Sequence, residues 1–258
     1  MSSPPATPQR NDEPTPAGVR EDLDLTIFIA CFNEEKRVVP TLETVRAALA
    51  ELPLTYEVIV VDDGSTDCTG AVVEEFARAN PAMPVRLHRN PRNLGLSRSF
   101  VDTAFRGRGR HYRLVCGDNV EPKESMLKIL RALGTADIII PYYPVLPGKS
   151  RLRKIISRLY TRIVDLLGGY RIRYYNGCAL YRRYHVMRWA SYNYGFGFQA
   201  HLITTLLDEG ATYSQVPLEG FHLTKDRGSP LNLRNFLSTG HTLCEIFIRR
   251  IRRELYGN

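Results

Sequence analysis

Two neighbouring carboxylates, Asp62 and Asp63, stand between the apolar run Val58-Ile59-Val60-Val61 and the turn-forming stretch Gly64-Ser65-Thr66-Asp67. Acids that emerge where a buried strand ends can hold ribose hydroxyls, a base or a metal ion. Packing alone explains such a pair poorly, because a desolvated carboxylate needs a partner. Gly64 suits the turn, and Ser65 or Thr66 can cap a helix that follows. An earlier apolar run ends in Cys31 and continues as Phe32-Asn33-Glu34-Glu35. There, Asn33 or Glu34 can meet a base, or Asn33 can simply cap a helix. A third stretch, Cys116-Gly117-Asp118-Asn119-Val120-Glu121-Pro122, offers Asp118 to a ligand. Cys116 reads as a small buried hydrophobe, and Glu121 as an extra ligand or, by preference, an acid favoured in the first turn of a helix.

The second half of the chain is cationic. Between Arg151 and Arg188 ten Arg and Lys residues face one acid, Asp165. Ile155, Ile156, Leu159, Ile163, Leu166 and Leu167 recur at helical spacing, while Arg151, Lys154, Arg158 and Arg162 fall on another face, giving an amphipathic basic helix suited to phosphate and acidic lipid. Arginine presents a fork matched to phosphate oxygens, and Ser157 adds a donor. In Phe196-Gly197-Phe198-Gln199, Gln199 cannot act as a general base; a phosphate acceptor, already anionic at neutral pH, needs none. The segment from Phe247 to Arg253 joins apolar residues to four arginines, a composition compatible with an anionic membrane surface.

These groups need a scaffold, and the hydrophobic pattern predicts one. β-Branched runs at 25–31, 57–61, 85–88, 112–116 and 137–141 read as strands, with helical patterns at 34–52, 66–80, 96–107 and 123–133 between them. The alternation implies an α/β domain with a mostly parallel sheet flanked by helices, whose ligands gather beyond the carboxyl ends of the strands. Later elements are a helix at 151–167, a strand at 177–181, a helix at 196–209, a strand at 212–216 and a helical segment after Pro230. Residues 1–22, rich in Pro, Ser and Thr, are expected to form a disordered tail, with the main domain over 23–229 and a basic helical segment over 230–258.

The excess of 35 Lys and Arg over 27 Asp and Glu favours a polyanionic partner. No nucleic-acid motif accompanies it, which leaves nucleotide or membrane. Five cysteines without a Cys-x-x-Cys pair give neither a zinc spacing nor an even disulfide framework and fit a reducing, cytoplasmic compartment. No signal peptide and no run of about 18 apolar residues is present, so a soluble or peripheral protein is expected, at the cytoplasmic membrane face.

Val61-Asp62-Asp63-Gly64-Ser65-Thr66-Asp67, preceded by the Asn33-Glu34 turn and followed by Asn93-Leu94-Gly95-Leu96-Ser97, resembles glycosyltransferase family 2. Ile156-Ser157-Arg158 and Asn176-Gly177 through Tyr181-Arg182-Arg183 resemble its polyprenyl-phosphate, dolichol-phosphate mannose synthase-like branch. The resemblance implies a GT-A fold, Rossmann-like and ending in a C-terminal amphipathic helical segment. It implies transfer of a sugar from a nucleotide diphosphate sugar to a polyprenyl phosphate by inverting single displacement. By the same resemblance Phe32, Asn33, Glu34, Asp62, Asp63, Gly95 and Asp118 would bind the donor. Arg153, Ser157, Arg158, Asn176 and Gln199 would bind the acceptor, and Asp118, Arg153, Ser157 and Arg158 would act in catalysis. Asp118 would hold Mg²⁺ or Mn²⁺, although Cys116 replaces the first acid of the usual Asp-x-Asp; one carboxylate binds such an ion less tightly than two, yet these ions keep waters and lean on substrate phosphates. Two rivals are a family 2 enzyme with a hydroxyl acceptor on a saccharide or lipid, and a noncatalytic nucleotide-sugar-binding scaffold.

Overall fold

The computed structural model describes residues 18–144, 151–189, 195, 197–219 and 233–256. Its centre is a seven-stranded sheet built from β1 (Leu23–Cys31), β2 (Tyr56–Asp62), β3 (Val85–Arg89), β4 (Gly109–Cys116), β5 (Ile138–Tyr142), β6 (Leu180–Arg182) and β7 (Tyr213–Pro217). Strand order is β3-β2-β1-β4-β6-β5-β7. Every pairing is parallel except those of β6, which runs antiparallel to both β4 and β5.

The central strands are apolar on both faces because helices cover both. Leu25, Ile27 and Ile29 of β1 pack with Val58 and Val60 of β2 against α1 (Val38–Leu49), α2 (Thr69–Ala79) and α4 (Lys123–Arg131). Phe28, Ile59, Val61, Tyr112 and Leu114 face the other way, toward α3 (Leu96–Arg106), α5 (Arg151–Gly168), α6 (Arg183–Arg188), α7 (Phe198–Asp208) and α8 (Leu233–Tyr256). Three aromatic rings, Phe28, Phe100 and Tyr112, form the middle of this second layer, with Phe100 and Tyr112 at 4.9 Å between centroids. β1 pairs with β2 on one side and β4 on the other, so the loops leaving their carboxyl ends diverge. A crevice at such a switch point is where open α/β sheets bind ligands.

Several boundaries differ from the sequence expectation. Helix α1 begins at Val38 and not at Glu34, because Asn33 takes a left-handed backbone (φ +58°) and residues 34–37 form a turn. Helix α2 begins at Thr69 after Cys68, and neither Ser65 nor Thr66 caps it; Asp67, just before the cap, accepts the Thr69 amide on Oδ1 at 3.0 Å. The strand expected at 177–181 is shorter and later, since Ala179 N donates to Gly177 O at 2.8 Å and turns the chain before Leu180. Helix α6 was not anticipated from the pattern; its six residues are too few for a periodicity to register. Residues 1–17 of the expected tail, Phe196 and Pro230 lie outside the described residues. Among the described residues no helix is long and apolar enough to cross a membrane.

Candidate functional site

The Asp62-Asp63 pair sits where β2 ends, and both side chains are buried. They serve different neighbours. Asp63 accepts hydrogen bonds from Asn90 Nδ2 at 2.6 Å, Leu94 N at 3.0 Å, Gly95 N at 2.9 Å and Ser99 Oγ at 3.3 Å. One carboxylate thereby fixes the whole connection from β3 into α3. Asp62 Oδ1 accepts the Ser65 amide at 2.9 Å, closing the turn through Gly64. Gly64 has φ +75°, and a Cβ there would lie 2.5 Å from the Arg92 carbonyl carbon, so glycine is required on two grounds. Asp62 Oδ2 lies beside Arg89, both atoms closing on Gly70.

The loop after β1 is laced to the loop after β2. Asn33 N donates to Ser65 Oγ at 2.9 Å, and Asn33 Oδ1 accepts the Thr66 amide at 2.8 Å. Asn33 is therefore no helix cap; its side chain bridges two strand ends. Glu34 N donates to Thr69 Oγ1 at 2.8 Å, Glu35 N to Asp67 Oδ2 at 3.2 Å, and Glu35 Oε2 accepts the Cys68 amide at 3.1 Å. Glu34 also pairs with Arg37 at 3.7 Å. Phe32 stands out from this network, about half exposed (46%).

Asp118 reaches the same corner from β4. The Gly117 amide donates to Ala30 O at 2.9 Å, and a Cβ at Gly117 would strike Cys31 Sγ, so the β4 loop lies directly on the end of β1. Burial raises the Asp118 carboxyl pKa above the ordinary carboxylate range, opposed by backbone amides of Val120 and Asp118 and by Arg37. Its Oδ1 is buried and accepts no hydrogen bond. Cys31 shows that the acids converge: burial pushes its thiol far up, and Glu34, Asp62, Asp118 and Asp67 add to the shift. Cys116, expected as a buried hydrophobe, is exposed at the last position of β4. Glu121, expected as a first-turn helix acid, precedes the Pro122 cap of α4 and pairs with Arg113, a fully buried guanidinium in the middle of β4. Sequence reading missed this pair.

The remaining candidates lie on the other side of β4. Arg153 and Ser157 are half-buried and Arg158 is exposed, all on α5, which packs against α8. Asn176 is half-buried beside Gly177, whose Cα presses on Pro141 of β5. Gln199 lies in the first turn of α7, its buried Oε1 without a donor. Of the Tyr181-Arg182-Arg183 motif, Arg182 pairs with Asp137 at 3.2 Å. Arg183 is spent on carbonyls, donating to Gly109 O at 2.6 Å and Ala104 O at 2.9 Å.

The structure thus brings Asn33, Glu34, Asp62, Asp63, Gly95 and Asp118 to the carboxyl ends of β1, β2 and β4, whereas Arg153, Ser157 and Arg158 belong to a separate helix. Among the described residues no cluster of three or more His, Cys, Asp and Glu is disposed to hold a metal. Asp118 Oδ1, buried and without a hydrogen bond, is a carboxylate oxygen suited to a hard cation. A six-coordinate ion that keeps its waters and takes substrate phosphate oxygens can be held by a single carboxylate.

Residues 26–190 match the family described as Glycosyl transferase family 2. The chain belongs to glycosyl transferase family 2. Among family relatives, it is 31% identical over 166 residues to a dodecaprenyl-phosphate galacturonate synthase of Rhizobium johnstonii, covering 62% of this chain and 47% of the relative. It is 26% identical over 220 residues to a dolichyl-phosphate beta-glucosyltransferase of Trichomonas vaginalis, covering 75% and 63%. The chain therefore spans from about half to just under two thirds of the length of these relatives. Among solved structures, glucosyl-3-phosphoglycerate synthase of Mycobacterium tuberculosis, in complex with Mn²⁺, UDP-glucose and phosphoglyceric acid, superposes with a TM-score of 0.64 at 17% identity, covering 88% of this chain and 80% of that one. With the sheet order, that likeness establishes the GT-A fold.

Proposed function

We propose that this family 2 chain is a nucleotide-sugar-dependent glycosyltransferase that moves a sugar from a nucleotide diphosphate sugar to a polyprenyl phosphate by a single inverting displacement. The observation that carries the reading is the convergence of Asn33, Glu34, Asp62 and Asp118 at the β1-β2-β4 strand ends, on a lattice of internal hydrogen bonds. The names of the two relatives support the acceptor class. Asn33, Glu34 and Asp62 bind the nucleoside, with Phe32 at its edge. Asp63 acts through Gly95 and the loop it pins. Asp118 Oδ1 faces the diphosphate and would hold Mg²⁺ or Mn²⁺, which when bound supplies charge neutralisation to the leaving group.

On the acceptor side Arg153, Ser157 and Arg158 of α5 hold the lipid phosphate, and Asn176 and Gln199 orient it toward the anomeric carbon. The acceptor is already anionic, so no general base is required; positioning and neutralisation of the leaving diphosphate supply the rate effect. Contact with the membrane is peripheral, at the cytoplasmic face, where Leu152, Ile155 and Leu159 stand exposed beside Arg151, Arg158 and Arg162. The catalytic unit runs over 23–229, with 1–22 as a tail and 230–258 as an appended basic helical segment.

Cys116 in place of an acid favours one other reading, a binder of nucleotide sugars that does not turn over. Both are tested by incubating the full chain with UDP-, GDP-, dTDP- and CDP-linked radiolabelled sugars and undecaprenyl phosphate, with Mg²⁺, Mn²⁺ or EDTA. Label in the organic phase from one donor, lost in Asp118→Ala, is the expected result. Donor binding without extractable label under any metal would replace transfer with binding, and no binding at all would overturn the donor site.

A further inference from the structure

The segment from Phe247 to Arg253, rich in arginine, spends most of that charge on its own chain. Arg249 Nε lies 3.2 Å from Asp208, Arg253 pairs with the same carboxylate, and Arg250 Nη1 donates to Leu166 O at 2.6 Å. Arg252 alone of the four is exposed. On the inner side of α8, Thr242, Ile246, Arg249 and Arg253 form a stripe that packs on α5 and α7. Cys244, Ile248, Ile251 and Leu255 form a second stripe, displaced by two residues, or about 200° of rotation at 3.6 residues per turn. It lies opposite the packed side, and all four residues are exposed, Leu255 to 70%. A helix face that meets only water is polar. This one carries the spacing of a two-helix seam, with Ile248 and Leu255 at position a and Cys244 and Ile251 at position d.

The charges beside the seam select its partner. Glu245 and Arg252 both take position e, and when two such helices lie antiparallel each e position faces the e position of the other. Two α8 helices laid this way set Glu245 against the second copy's Arg252 and, by two-fold symmetry, Arg252 against the second copy's Glu245. Between these contacts Cys244 meets Leu255 and Ile248 meets Ile251, each layer made twice. Glu245 Oε2 faces His201 Nε2 at 3.3 Å and His241 Nδ1 at 3.5 Å in its own chain, so its other oxygen is the one that meets the arginine. A parallel pair would instead place Arg252 beside Phe247 and Glu245 beside Gly240, with no opposite charges joined.

An anionic lipid surface suits α5, where the exposed apolar residues stand among Arg151, Lys154, Arg158 and Arg162. It suits α8 less well, because Glu245 and Glu254 flank the seam and three of the four arginines turn inward. We propose that the outer face of α8 is a docking surface for a second copy of this chain, paired antiparallel through Cys244, Ile248, Ile251 and Leu255. The pairing does not rest on the sugar-transfer reading and is separate from the lipid contact assigned to α5.

Sedimentation equilibrium of the full chain, over a roughly hundredfold range of micromolar concentration, should show a reversible monomer–dimer equilibrium. Ile251→Glu should weaken it by roughly a hundredfold with an unchanged far-UV spectrum, because the substitution enters a two-fold interface twice. Glu245→Arg and Arg252→Glu each bring like charges together and should each weaken the dimer by roughly tenfold or more. An equimolar mixture of those two variants restores both opposite-charge contacts and should dimerise about as tightly as the unaltered chain, a recovery that loss of folding in either variant could not produce. In Leu255→Cys, a short bismaleimide should join position 244 of one chain to position 255 of the other, as mapped by mass spectrometry. A monomer at every concentration, a mixture no tighter than its two components, or a cross-link from Cys244 to Cys244 would overturn the proposal. So would a monomer whose flotation with anionic vesicles falls in Ile251→Glu, which would give this face to lipid.

Discussion

The donor corner and the α5–α8 pair solve opposite problems with the same kinds of residue. At the donor corner polar groups are turned on one another: Asp63 gathers four donors, Asn33 joins two strand ends, and Arg113 is matched by Glu121 inside the sheet. On α5 the sole acid, Asp165, is turned inward to accept the Tyr175 hydroxyl at 2.8 Å and the Ile172 amide at 3.0 Å. That leaves an outer face of Leu152, Ile155, Leu159 and Leu166 fringed by arginine. On α8, Ile248, Ile251 and Leu255 are also exposed, while Arg249 and Arg253 reach back to Asp208. One region meets most of its polar groups internally and leaves Asp118 Oδ1 open. The other leaves an apolar, arginine-fringed face exposed. Substitutions at the first should therefore register as stability, and at the second as partition between water and membrane.

The largest effect separating the two should come from Arg113. Arg113→Met leaves Glu121 mostly buried without its cation, and removing one partner of a buried pair costs about 3–5 kcal/mol. Urea denaturation should show that loss, and Arg113→Met with Glu121→Leu should recover most of it. If the single variant kept its midpoint, the internal pairing argued for this corner would fail.

Acid should act on the fold as a whole, because two histidines are held buried and neutral, His111 at the amino end of the sheet and His201 against α8. His111 Nδ1 donates to Asp24 O at 3.2 Å, and burial, the main cause, lowers its pKa to about 4. His201 Nδ1 accepts the Trp189 indole N–H at 3.0 Å, so its proton is on Nε2 beside Glu245; burial, followed by Arg249, lowers its pKa to about 3. The unfolded chain, with histidine near 6.5, takes up these protons first. Stability is thus whole above about pH 6.5 and is lost as pH falls toward 4 and 3, by up to roughly 3 kcal/mol for His111 and roughly 5 kcal/mol for His201. Denaturation midpoints measured from pH 7.5 to 4.5 should fall in the native chain and fall less in His111→Gln and in His201→Gln.

How far these features could be read from the sequence depends on the range of the interaction. The Asp62-Asp63 pair announced itself because a run of four apolar residues ends beside it, and both strand and turn are local. Asn90, which holds Asp63 from the far end of β3, carried no such mark. Its contact spans 27 residues and exists only because β3 lies beside β2. Arg113 was harder still: a lone arginine in an apolar strand reads as a surface residue, and the acid that keeps it inside was taken for a helix-terminal one. Arg183 was noticed as part of a motif, yet its place depends on carbonyls at 104 and 109 that no local pattern reveals. The basic amphipathic helix was legible because its periodicity is contained within eighteen residues.

A sharper contrast lies between the two carboxylates at the site itself. Asp63→Ala removes the acceptor of four donors, three of them part-buried and able to recruit water; a loss of about 2–3 kcal/mol in folding stability and collapse of donor binding are expected together. Asp118→Asn should behave differently. Its carboxyl is raised by burial and its Oδ1 is unmatched, so neutralising it relieves the fold, and stability should hold or rise slightly while transfer falls by roughly a hundredfold. Calorimetry and denaturation on the same two preparations decide the matter. Equal destabilisation would mean that Asp118, too, is a structural acid.

The smallest expected effect belongs to the open face. Ile155 and Leu159 are 59% and 56% exposed and Arg158 is exposed, so replacing any of them by Glu should leave the denaturation midpoint within about 0.5 kcal/mol. Flotation with phosphatidylcholine vesicles containing phosphatidylglycerol should report the change instead. A basic residue near an anionic surface contributes about 1 kcal/mol, so Arg158→Glu should weaken partition by roughly fivefold or more at low salt and much less at high salt, where the surface potential is screened. Ile155→Glu and Leu159→Glu remove apolar contact as well, and their loss should persist at high salt. If all three variants floated like the unaltered chain, the face would have no lipid role. Weaker flotation accompanied by a lower midpoint would place these side chains in the fold rather than at the membrane.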